Sequence, residues 1–182
     1  QSWGAGWTTR APDSIVKIAY LSSAEIPSRS ANSLQIMKMC EALALEGPTL
    51  TLFAPAGRER AAPPAIESAY GIRLNFELRR YRPAPLLGRR GLAPSGARRA
   101  ALLAPRLVLT RGVDFALCAA WSGIPTLLEL HQIPGGRLGR LYFEACLRSR
   151  RIRSSVISRR LEDLLRAEFG ARVDGRILVA PD

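Results

Sequence analysis

Short apolar runs alternate with amphipathic stretches along most of this chain, and the alternation begins near its amino end. Two runs, Ile15–Ser22 and Thr49–Ala54, have the length and composition of buried strands. Between them, four apolar residues recur at the spacing of one helix face: Ile36, Met39, Cys40 and Leu43. Ser30 or Asn32 is placed to cap the start of this helix, and Gly47 suits its end. The pattern predicts two parallel strands joined by a helix.

The rest of the chain continues the same alternation. Four more strands are predicted at Arg73–Tyr81, Leu107–Thr110, Thr126–His131 and Ser155–Ile157, with a last apolar run at Ile177–Ala180. Four more helices are predicted near Ala97–Leu103 and at Asp114–Ser122, Leu138–Leu147 and Leu161–Phe169. In the helix at Leu138–Leu147 we expect Leu141, Tyr142 and Cys146 to face inward. The Pro- and Ala-rich segment after Ala54 is interpreted as a loop.

This order of elements predicts an α/β fold, with a doubly wound, mainly parallel sheet and helices on both faces. The first and fourth strands are expected to be central neighbours, and the strand near Leu74–Leu78 to lie at an edge. The length suits one domain, which we place at 15–182 after a loose tail at 1–14. The tail lacks the apolar core of a signal peptide, and charged residues and a proline interrupt the most apolar long stretch, Val113–Leu130. We therefore expect no membrane span.

Arginine supplies almost all of the basic charge. Only Lys17 and Lys38 are lysines among 27 basic residues, and the net charge is +12. The arginines cluster at Arg79, Arg80, Arg82, Arg89, Arg90, Arg98, Arg99, Arg148, Arg150, Arg151 and Arg153. Such clusters are typical of a solvated surface, and the alternative is a basic face that contacts an anionic membrane. Nucleic acid is disfavoured as a partner because no reader motif accompanies the charge and the tryptophans do not interleave with it.

The cysteines and the missing motifs exclude several classes of protein. Three widely spaced cysteines in apolar helical contexts (Cys40, Cys118 and Cys146) fit neither a disulfide framework nor a zinc site. We expect reduced, buried thiols in a cytoplasmic protein without metal or cofactor. The loop after the first strand, residues 22–30, contains no glycine, so a dinucleotide-binding turn is unsupported. The chain also lacks the phosphate-binding loop of nucleotidases and the nucleophile elbow of hydrolases.

Several segments together resemble the N-terminal domain of GT-B-fold retaining glycosyltransferases, in particular glycosyltransferase family four. KIAYLSS followed by SRSANSLQIMKMCEALALEG is similar to the family's first strand and acceptor-side helix. LVLTRGVDFALCAAWSGIPTLLELH is similar to the stretch where an arginine ends one strand and Glu-x-His ends the next. SSVISRRLEDLLRAEFG and RILVAPD are similar to its closing strand, helix and approach to the interdomain linker. Two departures are the glycine-free first loop and Gln35, where relatives often carry histidine.

The resemblance implies half of a two-domain enzyme. In the family, a second Rossmann-like half holds most of the sugar nucleotide, and we expect that half to be absent from these 182 residues. The chain would then bind the acceptor, and the full enzyme would transfer a hexosyl group from a sugar nucleotide to a glycan or lipid-linked acceptor. A position peripheral to the inner face of a membrane would suit such acceptors. The alternatives are a non-catalytic module that binds glycan or a partner, and a basic protein that binds membrane or nucleic acid.

The strongest candidate for a catalytic residue is His131. It follows Glu129 by two residues at the end of a predicted strand, so both side chains lie on one side of that strand. The resemblance places the matching histidine in the interdomain cleft near the transferred sugar. A neutral imidazole there could hydrogen-bond a sugar hydroxyl or stabilise the departing diphosphate. The structural alternative is a histidine that hydrogen-bonds locally at the strand end.

The candidate acceptor-binding residues surround the same edge of the predicted sheet. Glu129 could orient His131, bind sugar hydroxyls or pair with an arginine, and Arg111 could supply that pair or bind an anionic acceptor. The others lie in the first loop and at the start of the first helix, where exposed N–H groups attract anions: Ser22, Ser23, Ser30 and Asn32. Helix capping alone would also explain Ser30 and Asn32.

Overall fold

The computed structural model describes residues 16–57, 61–83 and 88–180, and the tail predicted at 1–14 lies outside them. Seven parallel strands form one sheet in the order β3-β2-β1-β4-β5-β6-β7. The strands are β1 (Lys17–Leu21), β2 (Thr49–Pro55), β3 (Glu77–Tyr81), β4 (Leu107–Thr110), β5 (Thr126–Leu130), β6 (Ile152–Val156) and β7 (Ile177–Val179). The helices are α1 (Ala31–Leu45), α2 (Pro63–Tyr70), α3 (Leu92–Ala101), α4 (Val113–Trp121), α5 (Gly136–Arg148) and α6 (Arg159–Phe169). Short 3-10 helices lie at Gly88–Gly91 and Gly170–Val173.

The strand order reverses between β1 and β4, as in a doubly wound Rossmann-like fold. These two strands pair in parallel, with Ile18 opposite Leu107 and Tyr20 opposite Leu109, and β3 lies at one edge. The predicted α/β class, the central pair and the edge strand are therefore confirmed. In such sheets the carboxyl ends of the strands at the reversal form a crevice, because the flanking connections diverge to opposite sides.

The central strand β1 contributes alternate side chains to two different cores. Tyr20 packs with α1 and α2 on one face of the sheet, which we call the α1 face. Ala19 and Leu21 point to the opposite face and pack with α3 and α4, and we call this the α4 face. A third cluster on the α4 face joins β5 and β6 to α4, α5 and α6, and includes Leu128 and Val156. Helices α3 to α6 therefore share one face, and the other face carries α1 and α2.

Two elements were not predicted from the sequence. The segment interpreted as a Pro- and Ala-rich loop contains α2, which begins with Pro63 and Pro64. Proline suits the first turn of a helix because its missing N–H would have no partner there, so the prolines mark a helix start and the loop interpretation was wrong. The last apolar run forms the strand β7, which pairs in parallel with β6. The strand predicted at Ser155–Ile157 begins earlier, at Ile152.

The prediction that Leu141 and Tyr142 face inward from α5 was wrong. Their side chains are 56% and 37% exposed, whereas Phe143 and Cys146 are buried. The ring of Phe143 meets that of Phe169 edge-on, with the centroids 4.9 Å apart. Phe143 and Cys146 are three residues apart and so lie on the same helix face. The buried face therefore includes Phe143 in place of the predicted Leu141 and Tyr142. Three adjacent apolar residues, Leu141, Tyr142 and Phe143, made the orientation of the helix hard to predict from the sequence.

The three cysteines are free thiols, but the expectation that all three are buried was wrong for Cys118. Cys40 and Cys146 are buried in α1 and α5, and Cys118 in α4 is partly exposed. Burial raises the pKa of Cys146 to about 12 and raises the pKa values of Cys40 and Cys118 above their ordinary range. Among the described helices, none combines the length and the apolar character needed to cross a bilayer.

Candidate functional site

A cleft of about 640 Å³ opens at the carboxyl ends of β4 and β5, beside the start of α1. Its walls come from parts of three segments, at 31–35, 111–114 and 129–139. The first is the start of α1, the second joins β4 to α4, and the third joins β5 to α5. The position agrees with the general rule that open α/β sheets bind ligands at the carboxyl edge where the strand order reverses.

Glu129 joins Arg111 and His131 in the wall of this cleft. Its Oε1 accepts a hydrogen bond from Arg111 Nη2 at 2.8 Å and shares another with His131 Nε2. Relative exposures of the three side chains are 15% for Arg111, 17% for Glu129 and 28% for His131. Low exposure strengthens these contacts by limiting screening from water. The carboxylate therefore fixes the orientation of both neighbours and leaves the histidine as the most open of the three.

Arg111 also ties the end of β4 to the start of α1. Its Nη1 donates to Gln35 Oε1 at 2.9 Å and lies 3.4 Å from Asn32 Oδ1. The guanidinium thus spans two elements that the chain separates by more than seventy residues. Planar, multidentate donors such as arginine hold this kind of polar junction rigidly. Gln35, noted in the sequence only as a departure from the family, belongs to the same network.

Two polar atoms on the α1 face are buried without a hydrogen-bond partner among the described residues. They are the hydroxyl of Tyr20, whose residue is 1% exposed, and Nε of Arg111. Burial raises the pKa of Tyr20, and the positive charge of Arg111 opposes that rise. Folded proteins pair most buried polar atoms, so two such atoms beside one charged network are unusual. Arg111 lines the cleft, whereas Tyr20 lies behind it in the core of the α1 face.

Two helices begin at the cleft with glycine in the capping position. Gly112 precedes α4 and Gly135 precedes α5, and neither helix start has a side-chain cap. The first turn of α5 contains no acidic residue. Among the described residues, no side chain accepts from its N–H groups in the way that Ser30 caps α1. Helix starts of this type favour anions and hydrogen-bond acceptors. In α4 the first-turn Asp114 already supplies negative charge, so α5 is the more electropositive of the two.

Gly112 is required at its position by close packing. A Cβ atom there would lie 2.8 Å from Cδ2 of Phe115 and 2.9 Å from Oδ1 of Asp114. At Gly135, by contrast, a Cβ would meet no atom within 4 Å. The turn after β4 is therefore tightly packed, whereas the turn after β5 is open. Close packing at Gly112 restrains the turn that follows Arg111, whereas the open turn at Gly135 leaves space near His131.

The structure brings together four of the sequence-predicted site residues and separates the other three. His131, Glu129, Arg111 and Asn32 line the cleft. Ser22 is buried, and its Oγ accepts from Ala24 N at 2.9 Å within a local turn. Ser30 caps α1 by accepting from Ser33 N at 3.2 Å. Ser22, Ser23 and Ser30 do not line the cleft, because the loop that carries them turns away toward α2 and its Tyr70.

Gly112, Gly135 and Tyr20 were not predicted to lie at the site. Gly112 and Gly135 each follow a predicted strand within a few residues and precede a predicted helix, so a glycine search at strand–helix junctions would have found them. Tyr20 lies in the middle of an apolar run, where an aromatic residue is expected to belong to the core. Among the described residues, no group of three or more histidine, cysteine or acidic side chains has the geometry of a metal site.

No model of a protein family matches the chain, and no curated protein matches it. The resemblance to glycosyltransferases therefore rests on the sequence segments quoted above. The Rossmann-like fold is observed independently of that resemblance. The fold does not identify the function, because parallel Rossmann-like sheets support many unrelated functions.

Proposed function

We propose that this chain is the acceptor-binding half of a GT-B-type glycosyltransferase, which transfers a hexosyl group from a sugar nucleotide to a glycan or lipid-linked acceptor. The observation that carries the proposal is the linked set of Arg111, Glu129 and His131 in a cleft at the carboxyl edge of the sheet. The quoted segments of the resemblance fall on β1 and α1, on β4 to β5, and on β6 to β7. They therefore occupy the elements that build or adjoin this cleft.

The chemistry of the cleft suits a substrate rich in hydroxyl groups. Asn32, Gln35 and Gln132 contribute amide groups that can donate and accept hydrogen bonds, as alternating sugar hydroxyls require. The open start of α5 and the guanidinium of Arg111 suit an anionic group such as a phosphate. A neutral sugar with an attached phosphate, as in a lipid-linked acceptor or a sugar nucleotide, combines both features.

In this proposal His131 contacts the reacting groups, and Glu129 positions it. Departure of a nucleoside diphosphate places negative charge on an oxygen, and a fixed hydrogen-bond donor at that point stabilises the transition state more than the ground state. Glu129 contacts the ring through Nε2 and so orients it at the edge of the cleft. Arg111, held by Glu129 and Gln35, fixes the carboxylate in turn. Rigid support of this kind limits the reorganisation that the reaction would otherwise require.

The experiment is a radiolabelled transfer assay on protein that also carries a donor-binding half, comparing the unchanged enzyme with His131→Ala. We expect turnover to fall about tenfold to a thousandfold, the range for removal of one electrostatic stabiliser. Arg98→Ala, at an exposed arginine of α3, is the control and should retain full turnover. Equal turnover in the His131→Ala enzyme would reduce His131 to a structural hydrogen-bonding role.

Residues 1–182 by themselves are expected to give no product. In the resemblance, most donor contacts come from the second half, and catalysis needs donor and acceptor enclosed together. Calorimetric titration with a panel of sugar nucleotides should therefore show weak or undetectable binding to this chain. Tight binding or turnover would mean that the donor site lies within these residues. Glycan binding in the cleft without turnover in any longer form would favour the alternative, a non-catalytic binding module.

A further inference from the structure

The doubly wound topology leaves half of the α1 face without a helix. Helices α1 and α2 cover this face over β1, β2 and β3, while α3 to α6 all pack on the α4 face. Among the described residues, α1 reaches this face of β4 only at Leu109, and no helix packs on the α1 face of β5, β6 and β7. Parallel sheets are normally covered on both faces, because their strands are buried and apolar on both sides. We call this uncovered region the open half-face.

The open half-face carries leucines that belong to no core cluster. Leu107 and Leu127 project from β4 and β5 on the side of Leu109, which packs against the α1 core. Leu178 in β7 lies on the same side and is 51% exposed, whereas its neighbours Ile177 and Val179 pack on the α4 face. Two depressions of about 520 and 410 Å³ cover this region, and both are lined by Leu107 and Leu127. Together they form one shallow apolar groove along the strands.

Arginines border one end of the groove. Arg150, Arg151 and Arg153 line the larger depression, and all three are exposed. Arg151 donates to the carbonyl of Gly123 and Arg153 to that of Ile152, but none of the three pairs with a carboxylate of the described residues. Guanidinium groups without a carboxylate partner, beside an apolar groove, are complementary to a ligand that is apolar on one side and acidic along its margin.

We propose that the open half-face binds an amphipathic α-helix whose apolar stripe contacts Leu107 and Leu127 and whose acidic residues pair with Arg150, Arg151 and Arg153. A helix is the element that covers the faces of parallel sheets, and it fits a concave groove better than a flat bilayer does. A strand of five residues is about 17 Å long, so a helix of about three turns spans the groove. Glu129 lines both the smaller depression and the cleft, so the groove adjoins the candidate site, but no step of the proposed transfer reaction requires the groove to be occupied.

The test uses two fluorescein-labelled peptides with the same apolar residues at i, i+3, i+4 and i+7. One carries glutamates along the margins of the stripe, and the other carries lysines at the same positions. Fluorescence anisotropy with residues 1–182 should give a dissociation constant about tenfold or more lower for the acidic peptide. Arg153→Glu should weaken binding of the acidic peptide about tenfold, and Leu127→Ala about fivefold. Arg98→Glu makes the same change of charge at an exposed residue of α3. It is the matched control and should alter binding less than about twofold.

Several results would overturn the proposal. Failure of the acidic peptide to bind, equal binding of both peptides, or equal losses in Arg153→Glu and Arg98→Glu would exclude an acidic helix as the occupant. Displacement of the peptide by anionic vesicles, with loss of vesicle binding in Leu127→Ala, would make the face a membrane contact. A dimer in sedimentation equilibrium that Leu127→Ala dissociates would assign the face to a second copy. Much tighter peptide binding after removal of residues 1–14 would assign it to the chain's own N-terminal segment. Thermal melts of each variant would establish that it is folded.

Discussion

The carboxylate of Glu129 is the centre of the candidate site, and Glu129→Gln tests how strongly it holds that site together. Glutamine keeps the shape of the side chain and one acceptor oxygen but removes the negative charge shared by Arg111 and His131. Hydrogen bonds that involve charged groups contribute about 1.5–3 kcal/mol each, and both partners here are largely buried. We expect the free energy of unfolding to fall by about 2 kcal/mol. In a protein of this size, that corresponds to a Tm lower by about 4–8 °C.

The chain offers a matched control in Glu77→Gln. Glu77 pairs with Arg79 at 2.7 Å, as close as the Glu129 pair, but its side chain is 50% exposed and that of Arg79 is 46% exposed. Exposed ion pairs of this kind contribute about 0.2–1 kcal/mol, so the Tm should fall by no more than about 4 °C. The assay is chemical and thermal unfolding followed by circular dichroism, with both variants measured at low and high salt. Screening should weaken the Glu77 pair and leave the Glu129 pair almost unchanged.

A double-mutant cycle decides whether Arg111 and Glu129 act as a unit. Arg111→Met combined with Glu129→Gln should cost less than the sum of the two single changes, with a coupling energy above about 1 kcal/mol. The same cycle at Arg79 and Glu77 should give a coupling near the limit of measurement. Equal and small losses at both pairs would refute the reasoning, because the lower exposure of the Glu129 network would then have no energetic consequence.

Two further predictions concern the packing of the cleft wall and the thiols. Gly112→Ala should destabilise the protein by about 1–2 kcal/mol more than Gly135→Ala. Both changes weaken a helix cap, but only the first forces a Cβ against Phe115. Equal losses of stability in urea unfolding would contradict this close contact. Disulfide-exchange labelling at neutral pH should modify Cys118 alone in the native state, since burial raises the pKa of Cys146 to about 12 and encloses Cys40; rapid native labelling of all three would contradict their burial.

Periodicity was sufficient to predict the sheet because its strands are short apolar runs with helices between them. The β4 strand at Leu107–Thr110 was predicted with the observed bounds, and α1 is capped by Ser30, one of the two caps that were predicted. The missed helix α2 begins with two prolines and contains two alanines, so local composition concealed it. The inward face of α5 was misjudged because Leu141, Tyr142 and Phe143 are adjacent apolar residues, and only packing against α6 selects Phe143.

The candidate site was partly predictable for a physical reason. Arg111, Glu129 and His131 each follow or end a strand, and the carboxyl ends of neighbouring parallel strands meet at one edge. Asn32 joins them because α1 starts at that edge too. The sequence could not reveal that Ser22 and Ser23 lie outside the cleft, because the course of loop 22–30 depends on tertiary contacts such as the one between Ser28 and Tyr70. The open half-face became visible only with the complete topology.

The most direct test of the central claim is to map glycan binding onto the cleft by nuclear magnetic resonance. Isotope-labelled residues 1–182 would be titrated with a panel of oligosaccharides and sugar phosphates while the backbone amide shifts are followed. The account predicts perturbations confined to the three segments that line the cleft, at 31–35, 111–114 and 129–139, with loss of these perturbations in His131→Ala. Perturbations centred elsewhere on the protein, or identical titrations of the unchanged and His131→Ala proteins, would contradict the assignment of the acceptor site to this cleft.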